Sequence, residues 1–370
     1  MRVLIVGAGI AGLAIGWRLA QAGVETEILE RGLAGRGATW AAAGMIAPNA
    51  ELGGGPKALA TFARNARALW PDFAKQLEAE SGKPVSYCEK GSLLVAQSAE
   101  RASALKDQGA TLSRNGIPAE WLEPQQLRMR EPLLSPSLSG GLYMPEDAQV
   151  DNRSLPDALC RAITKAGGRL REHCEVHSLL VQGGAVRAAV TTQGQLDADL
   201  IVLACGAWMN LIGGIAPETL PPVKPAKGQM VACEPPAGTQ LLSAPIWGED
   251  VYLVPRKDRV FIGATVEDAS FDISITRETR DFLLKAATYL IPEISSWHVT
   301  EMWAGLRPRT PDDAPVLGAT ATPGLYVASG QFRNGILFAP AVADTLCGLI
   351  MNGNADSHLD AFDPRRFADS

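Results

Sequence analysis

Apolar residues along this chain gather in two kinds of run. Short unbroken runs suit strands buried on both faces of a parallel sheet. They are Val3-Leu4-Ile5-Val6 near the start, Leu200-Ile201-Val202-Leu203-Ala204 in the middle and Leu325-Tyr326-Val327-Ala328-Ser329 towards the end. Apolar residues three and four apart mark helices. Ile10, Leu13, Ala14 and Trp17 predict one that Gly23 closes, and Val342, Leu346, Leu349 and Ile350 predict another that Asn352-Gly353 ends. Pro340 is expected at a first helical position of that second helix, where its missing N–H costs nothing.

Between these landmarks the texture changes. A loop at Gly53-Gly54-Gly55-Pro56 precedes a helix over 57–81, and a strand at 92–96 precedes a charged helix over about 100–115. A helix over 151–166 carries Pro156 near its start and ends at Gly167-Gly168; residues 169–190 then predict two strands joined at Gln182-Gly183-Gly184-Ala185. From 221 to 300 β pattern prevails, at 229–233, 251–254 and 260–263, with a helix over 276–290. Helices alternating with buried strands, interrupted by β-rich insertions, predict an α/β fold joined to an α+β second domain. The expected division gives 1–85, 146–220 and 305–370 to the first domain and 86–145 and 221–304 to the second, as suits a chain of 370 residues.

The net charge of −6 gives no reason to expect nucleic acid or an anionic membrane as partner. Cys88, Cys160, Cys174, Cys205, Cys233 and Cys347 are scattered without a C-x-x-C pair, so a reduced, disulfide-free cytoplasmic protein is expected. With four histidines and no clustered Cys/His spacing, no metal site is expected. The first strand runs straight into a glycine loop rather than a signal-peptide core, and no run approaches the ~20 apolar residues of a bilayer span.

That loop carries the chemistry. Gly7-Ala8-Gly9-Ile10-Ala11-Gly12 follows a strand, opens a helix, and is followed by a second strand ending at Glu30. Gly7 allows the tight turn, Gly9 lets backbone approach a pyrophosphate, and Gly12 lets helix pack on strand. The helix amino end offers free N–H groups to the phosphates, and Glu30 offers a carboxylate to a ribose hydroxyl. A dinucleotide without a 2′-phosphate follows, FAD or NAD. Gly206, just past the 200–204 strand, is placed to face the same ligand. Ala41-Ala42-Ala43-Gly44-Met45 has almost no side-chain bulk, so a flat body can lie against it. Gly330-Gln331-Phe332-Arg333-Asn334-Gly335-Ile336-Leu337 feeds a second helix start, whose dipole would stabilise negative charge on a bound ligand.

Taken with Tyr252-Leu253-Val254-Pro255-Arg256 and Trp303-Ala304-Gly305-Leu306-Arg307-Pro308, these segments resemble the D-amino acid oxidase superfamily of FAD-dependent oxidoreductases, and within it the glycine oxidases of thiamine biosynthesis. The resemblance covers nearly the whole length. It implies a Rossmann-like FAD-binding domain of the glutathione-reductase/D-amino acid oxidase type, assembled from three segments, plus a mixed-sheet substrate domain from two. It implies non-covalent FAD held at Gly7, Gly9, Ile10, Ala11, Gly12, Glu30, Arg31, Ala38, Thr39, Ala43, Gly44, Met45, Val176, Gly206, Gln331, Phe332, Arg333, Asn334, Gly335, Ile336 and Leu337. Arg307 matches the arginine that clamps a substrate carboxylate, Tyr252 its hydroxyl partner, and Arg333 the arginine lining the site from the flavin loop.

The implied substrates are glycine and small amines such as sarcosine or D-alanine, with O2 as electron acceptor and a homo-oligomer, a tetramer, as the assembly. A planar guanidinium suits that task because two parallel hydrogen bonds fix both the position and the rotation of a carboxylate. Read without the family, the pattern favours a core role for Tyr252, leaves Arg307 evenly open to being a turn residue before Pro308, and allows Arg333 as the ion-pair partner of some acid. Asp250, Gln331, Trp40 and Val266 depart from the family pattern and bear on substrate range. A dehydrogenase passing electrons to a quinone or protein, or a dinucleotide-binding protein without turnover, are the other readings.

Overall fold

A computed structural model describes residues 1–52, 56–353 and 357–367; the expected loop at Gly53-Gly54-Gly55 lies outside the described residues. Two sheets organise it. The first has six strands in the order Val316–Ala319, Leu325–Ser329, Leu200–Leu203, Arg2–Val6, Glu25–Leu29, Arg169–Arg171, all parallel except the first pair. Arg2–Val6 sits near its middle, and its side chains alternate between two cores. Val3 and Ile5 pack into helices, whereas Leu4 and Val6 face a small three-stranded antiparallel sheet. Burial on both faces is why the strand is apolar at every position from 3 to 6.

The helices Ile10–Gln21, Lys57–Ser81, Leu155–Lys165 and Gly335–Asn352 form the layer on the first face. Gly335–Asn352 is long and apolar enough by composition to cross a bilayer, but it packs between Ile10–Gln21 and Lys57–Ser81 as a core helix. It starts five residues earlier than Pro340 suggests, so that proline lies inside the helix rather than at its first position. The Trp70 indole donates to the Leu337 carbonyl at 2.9 Å, one turn before the ring that removes a helical donor.

Two other expectations change. Leu155–Lys165 begins later than 151, because Asp151 forms a turn in which its carbonyl accepts from Ser154 and its carboxylate from Arg153. Residues 169–190 hold three strands, not two. Arg169–Arg171 leaves for the six-stranded sheet, where Arg171 pairs with the nearly buried Glu27. Val176–Gln182 and Ala185–Thr191 form the hairpin, and Gly194–Asp197, too polar to show an apolar pattern, adds a third strand to it.

The second sheet has eight strands in the order His298–Arg309, Lys224–Glu234, Val260–Gly263, Tyr252–Pro255, Ile246–Trp247, Ser92–Val95, Gly141–Met144, Glu120–Leu122. One face is closed by the helix Arg277–Leu290, whose Leu283, Ala287 and Leu290 pack on Val231, Leu253 and Ile262. The other face presents Met230, Tyr252, Phe261 and Trp303 towards Ala41 and Ala43 of the first unit. His298–Arg309 runs unbroken through position 305, where the sequence suggests a change of domain, and pairs with Lys224–Glu234 as far as Arg309 opposite Lys224.

Candidate active site

A cleft of about 540 Å³ opens between the two sheets, at the carboxyl ends of Arg2–Val6 and Leu200–Leu203. Its floor is built by missing side chains. Gly7 has φ +103°, and a Cβ there would meet the Ala204 carbonyl at 2.7 Å; a Cβ on Gly12 would come within 2.0 Å of the Gly7 carbonyl. Only glycine lets strand, turn and helix approach this closely. Glu30 accepts from the Ala8 and Gly32 amides at 2.9 Å each, so it ties the turn to the end of the second strand. Thr39 Oγ1 accepts from the Ile10 amide at 2.9 Å. Gly206 takes a left-handed conformation, its carbonyl accepting from Ser329, and a Cβ there would meet nothing within 4 Å.

The second glycine loop converges on the first. The Phe332 amide donates to the Pro308 carbonyl at 2.9 Å, which fastens this loop to the strand carrying Arg307. A Cβ on Gly335 would lie 3.9 Å from Ile10 Cγ2, so the amino ends of two helices stand side by side at the cleft. Every residue that the sequence assigns to the cofactor lines the cleft except two. Gly12 serves the strand–helix contact, and Leu337 is buried in the helical core. Trp208 lies at the mouth, with the Arg31 guanidinium 4.1 Å above its ring and Phe271 5.8 Å away.

FAD fits this donor set. There is a bare-backbone turn and a pair of helix amino ends for phosphates, a carboxylate at the end of the second strand, and an uncrowded Ala41–Gly44 wall. Gln331 Nε2 is buried in the cleft without an acceptor. A buried orphan donor of this kind is costly unless a ligand supplies the missing oxygen or nitrogen. The buried Arg256 guanidinium holds the wall from behind, donating to the Ala43 carbonyl, to Val150 and to Gln149 Oε1. Burial brings its pKa down to about 10.

At the far end of the cleft, Arg307, Tyr252 and Arg333 come together as the sequence suggests, and a fourth residue joins them. Arg307 Nη1 donates to the Thr265 carbonyl at 2.9 Å and to the Lys227 carbonyl at 3.5 Å, and its guanidinium lies against Tyr252. Gly228 makes room for it: a Cβ there would be 2.2 Å from Nη1. A glycine inside a strand marks such a close approach, so this signal is present in the sequence, although its partner is not. Tyr252 is buried, its hydroxyl 3.8 Å from Met230 Sδ and over Gly263, where a Cβ would clash at 2.8 Å. The fourth residue is Glu51, on the short helix Pro48–Leu52, with Oε1 2.5 Å from Arg333 Nε. No pattern in the sequence singles Glu51 out.

Burial dominates the electrostatics here. It pushes the Glu51 carboxyl up, against the pull of Arg333 and Arg307, and raises the Tyr252 hydroxyl, which the same two arginines oppose. It lowers Arg307, which Tyr252 and Glu51 support and Arg333 opposes. A permanently charged guanidinium half withdrawn from water, with no carboxylate in hydrogen-bonding contact among the described residues, suits an anion. Asp250 is exposed outside the cleft, and Trp40 packs edge-on against Trp303 at 5.9 Å.

Comparison with known proteins agrees with this geometry. Residues 2–349 match the family described as DAO, FAD dependent oxidoreductase, and the chain belongs to that family of FAD-dependent enzymes. Among individual proteins, it is 34% identical over 370 residues to a glycine oxidase of Geobacillus kaustophilus, covering 99% of this chain and 96% of that one. The crystal structure of glycine oxidase from that organism superimposes with a TM-score of 0.92 at 33% identity, covering 98% of both chains. The chain is also 35% identical over 369 residues to the bifunctional protein ThiO/ThiG of Trichormus variabilis (strain ATCC 29413 / PCC 7937). That match covers 99% of this chain and 55% of the relative, so the chain spans about half the length of such bifunctional relatives.

Proposed function

We propose that this protein catalyses the oxidative deamination of glycine and other small primary or secondary amines, such as sarcosine and D-alanine. The observation that carries the reading is Arg307, a half-buried guanidinium lying over a glycine floor in the same cleft as a dinucleotide-binding turn. In this reading Arg307 grips the substrate carboxylate in two parallel hydrogen bonds, and the Tyr252 hydroxyl adds a third. That grip would set Cα against the flavin that the wall of Ala43, Gly44 and Met45 holds. Arg333 closes the site from the second glycine loop. FAD, when bound, supplies the hydride acceptor and passes the electrons to O2, which leaves as hydrogen peroxide.

We propose further that the imino acid formed from glycine serves the thiazole ring of thiamine, a reading supported by the bifunctional relatives whose names join ThiO to ThiG. Six unpaired cysteines suit a reducing cytoplasm, and a homo-oligomer, a tetramer, is the expected assembly. The test is an anaerobic titration of the yellow protein with glycine, sarcosine, D-alanine and D-proline, following flavin absorbance and then admitting air. Bleaching by glycine with rapid recovery in air and peroxide release is the expected result. Recovery only with a quinone would mean a dehydrogenase, and no bleaching by any amine would overturn the reading.

A further inference from the structure

Glu51 stands out once the substrate end of the cleft is assembled. Its side chain is only 9% exposed, it lines the cleft, and Oε1 is closed to solvent with the Arg333 guanidinium against it. Arg333 Nε is 2.5 Å away in an ion pair, and a carboxylate oxygen has a second lone pair that another donor can use. Arg307 and Glu51 therefore present a guanidinium and a solvent-shielded carboxylate to one cavity. An α-amino acid zwitterion carries the complementary pair, a carboxylate and an ammonium.

We propose that Glu51 is a catalytic residue that binds the α-ammonium group of the substrate and takes its proton. The inference rests on the amine-oxidation reading above. An N–H bond of the ammonium breaks, its electron pair stays on nitrogen, and the proton forms an O–H bond at Oε1. An ion pair becomes a neutral acid and a neutral amine, the form of nitrogen from which Cα can lose a hydride. The shielding of Glu51 from solvent favours that exchange, because an ion pair is replaced by two neutral hydrogen-bonded groups.

The ionisable groups facing Glu51 are Arg333 from the glycine loop, Arg307 from His298–Arg309 and Tyr252 from Tyr252–Pro255. The strand Ser92–Val95, on which its short helix packs, has no ionisable side chain, and Lys57–Ser81 makes no ion pair with it among the described residues. Asp147 lies beneath the same turn, towards the Asn49 and Ala50 amides.

The test compares Glu51→Gln with the native flavin-loaded protein. At pH 7 kcat/KM for glycine should fall about a hundredfold or more, the range in which a positioned acid–base group contributes. The deficit should shrink as pH rises towards the amine's own pKa, because solvent then supplies the neutral amine. Binding of glycolate, which has the carboxylate and no amine, read from the flavin spectrum, should be unchanged or tighter. Glu51→Asp, should the glutamine variant not fold, is expected to keep the native pH profile at reduced kcat/KM. Equal losses in glycine turnover and glycolate binding at every pH would mean that Glu51 only holds Arg333, and would overturn the proposal. So would full activity of Glu51→Gln at pH 7, or an aspartate variant whose activity climbs with pH. Failure of every amine to bleach the native flavin would overturn the underlying reading instead, and is seen before any variant is made.

Discussion

A guanidinium drawn part-way out of water without a partner carboxylate costs free energy that an anion's two hydrogen bonds offset. Arg307 holds this position because Gly228 has no side chain, and Tyr252 because Gly263 has none. Arg307→Ala should therefore raise KM for glycine by about a hundredfold or more, the worth of a pair of charge-assisted hydrogen bonds, with flavin content unchanged. Steady-state kinetics beside the absorbance ratio of the purified protein checks it, and normal kinetics would place the substrate elsewhere. Gly228→Ala makes the complementary change. A methyl group 2.2 Å from Nη1 must displace the guanidinium, so substrate affinity should fall while the fold and the yellow colour survive. Glycolate titration followed by flavin absorbance measures that loss directly. Arg307, Tyr252 and Arg333 are marked out in the sequence only as expectations, through the family motifs that hold them. Glu51 is not, because its role depends on Arg333, a residue from the opposite end of the chain.

Between residue and molecule, the working element is the short helix Pro48–Leu52 that presents Glu51. Beneath it Asp147 is fully buried, accepting from Ser92 Oγ at 2.6 Å, and burial raises its carboxyl to about 7 against the opposing hydrogen bonds. A carboxyl raised in the folded state binds its proton more tightly there than in the unfolded chain. Stability from this group is thus fullest below the ordinary carboxylate range, falls as pH rises to about 7, and levels off above it. Asp147→Asn should remove that slope and gain on the native protein at pH 8 relative to pH 5. Thermal melts of both proteins at the two pH values decide it; an unchanged difference would mean that Asp147 is ionised throughout. The helices on either side were easier to read. Ile10–Gln21 and Lys57–Ser81 follow their apolar spacing closely, whereas Pro340 misleads because tertiary packing carries a helix through it.

On the scale of the molecule, the cleft lies between two sheets, and each contributes part of its lining. The six-stranded sheet delivers the glycine turn, and the eight-stranded sheet delivers Arg307 and Tyr252. Arg153 fastens the halves together, pairing with Glu301 at 2.8 Å under the rings of Trp40 and Trp303. A ligand filling such a cleft stabilises only the folded state. Removing FAD should lower the melting temperature, and restoring it at a hundred times its Kd should return about 2.7 kcal/mol. Calorimetry of the stripped and reloaded protein tests this, and identical melts would mean that the cleft does not hold the cofactor.

The sequence by itself determined the elements whose signals are local. Apolar periodicity set the buried strands and the long helices, and the order strand, glycines, helix, strand, acid set the dinucleotide turn, because both act through neighbours a few residues apart. The tertiary structure decided what depends on distant partners. It sent Arg169–Arg171 to another sheet, carried His298–Arg309 through the expected domain boundary, and cleared Gly228 beneath Arg307. It also brought Glu51 to Arg333, as it brought the Trp303 indole to the Ala41 carbonyl across 262 residues. Such pairs leave no periodic trace along the chain, since only the packing of one sheet against the other brings their atoms together.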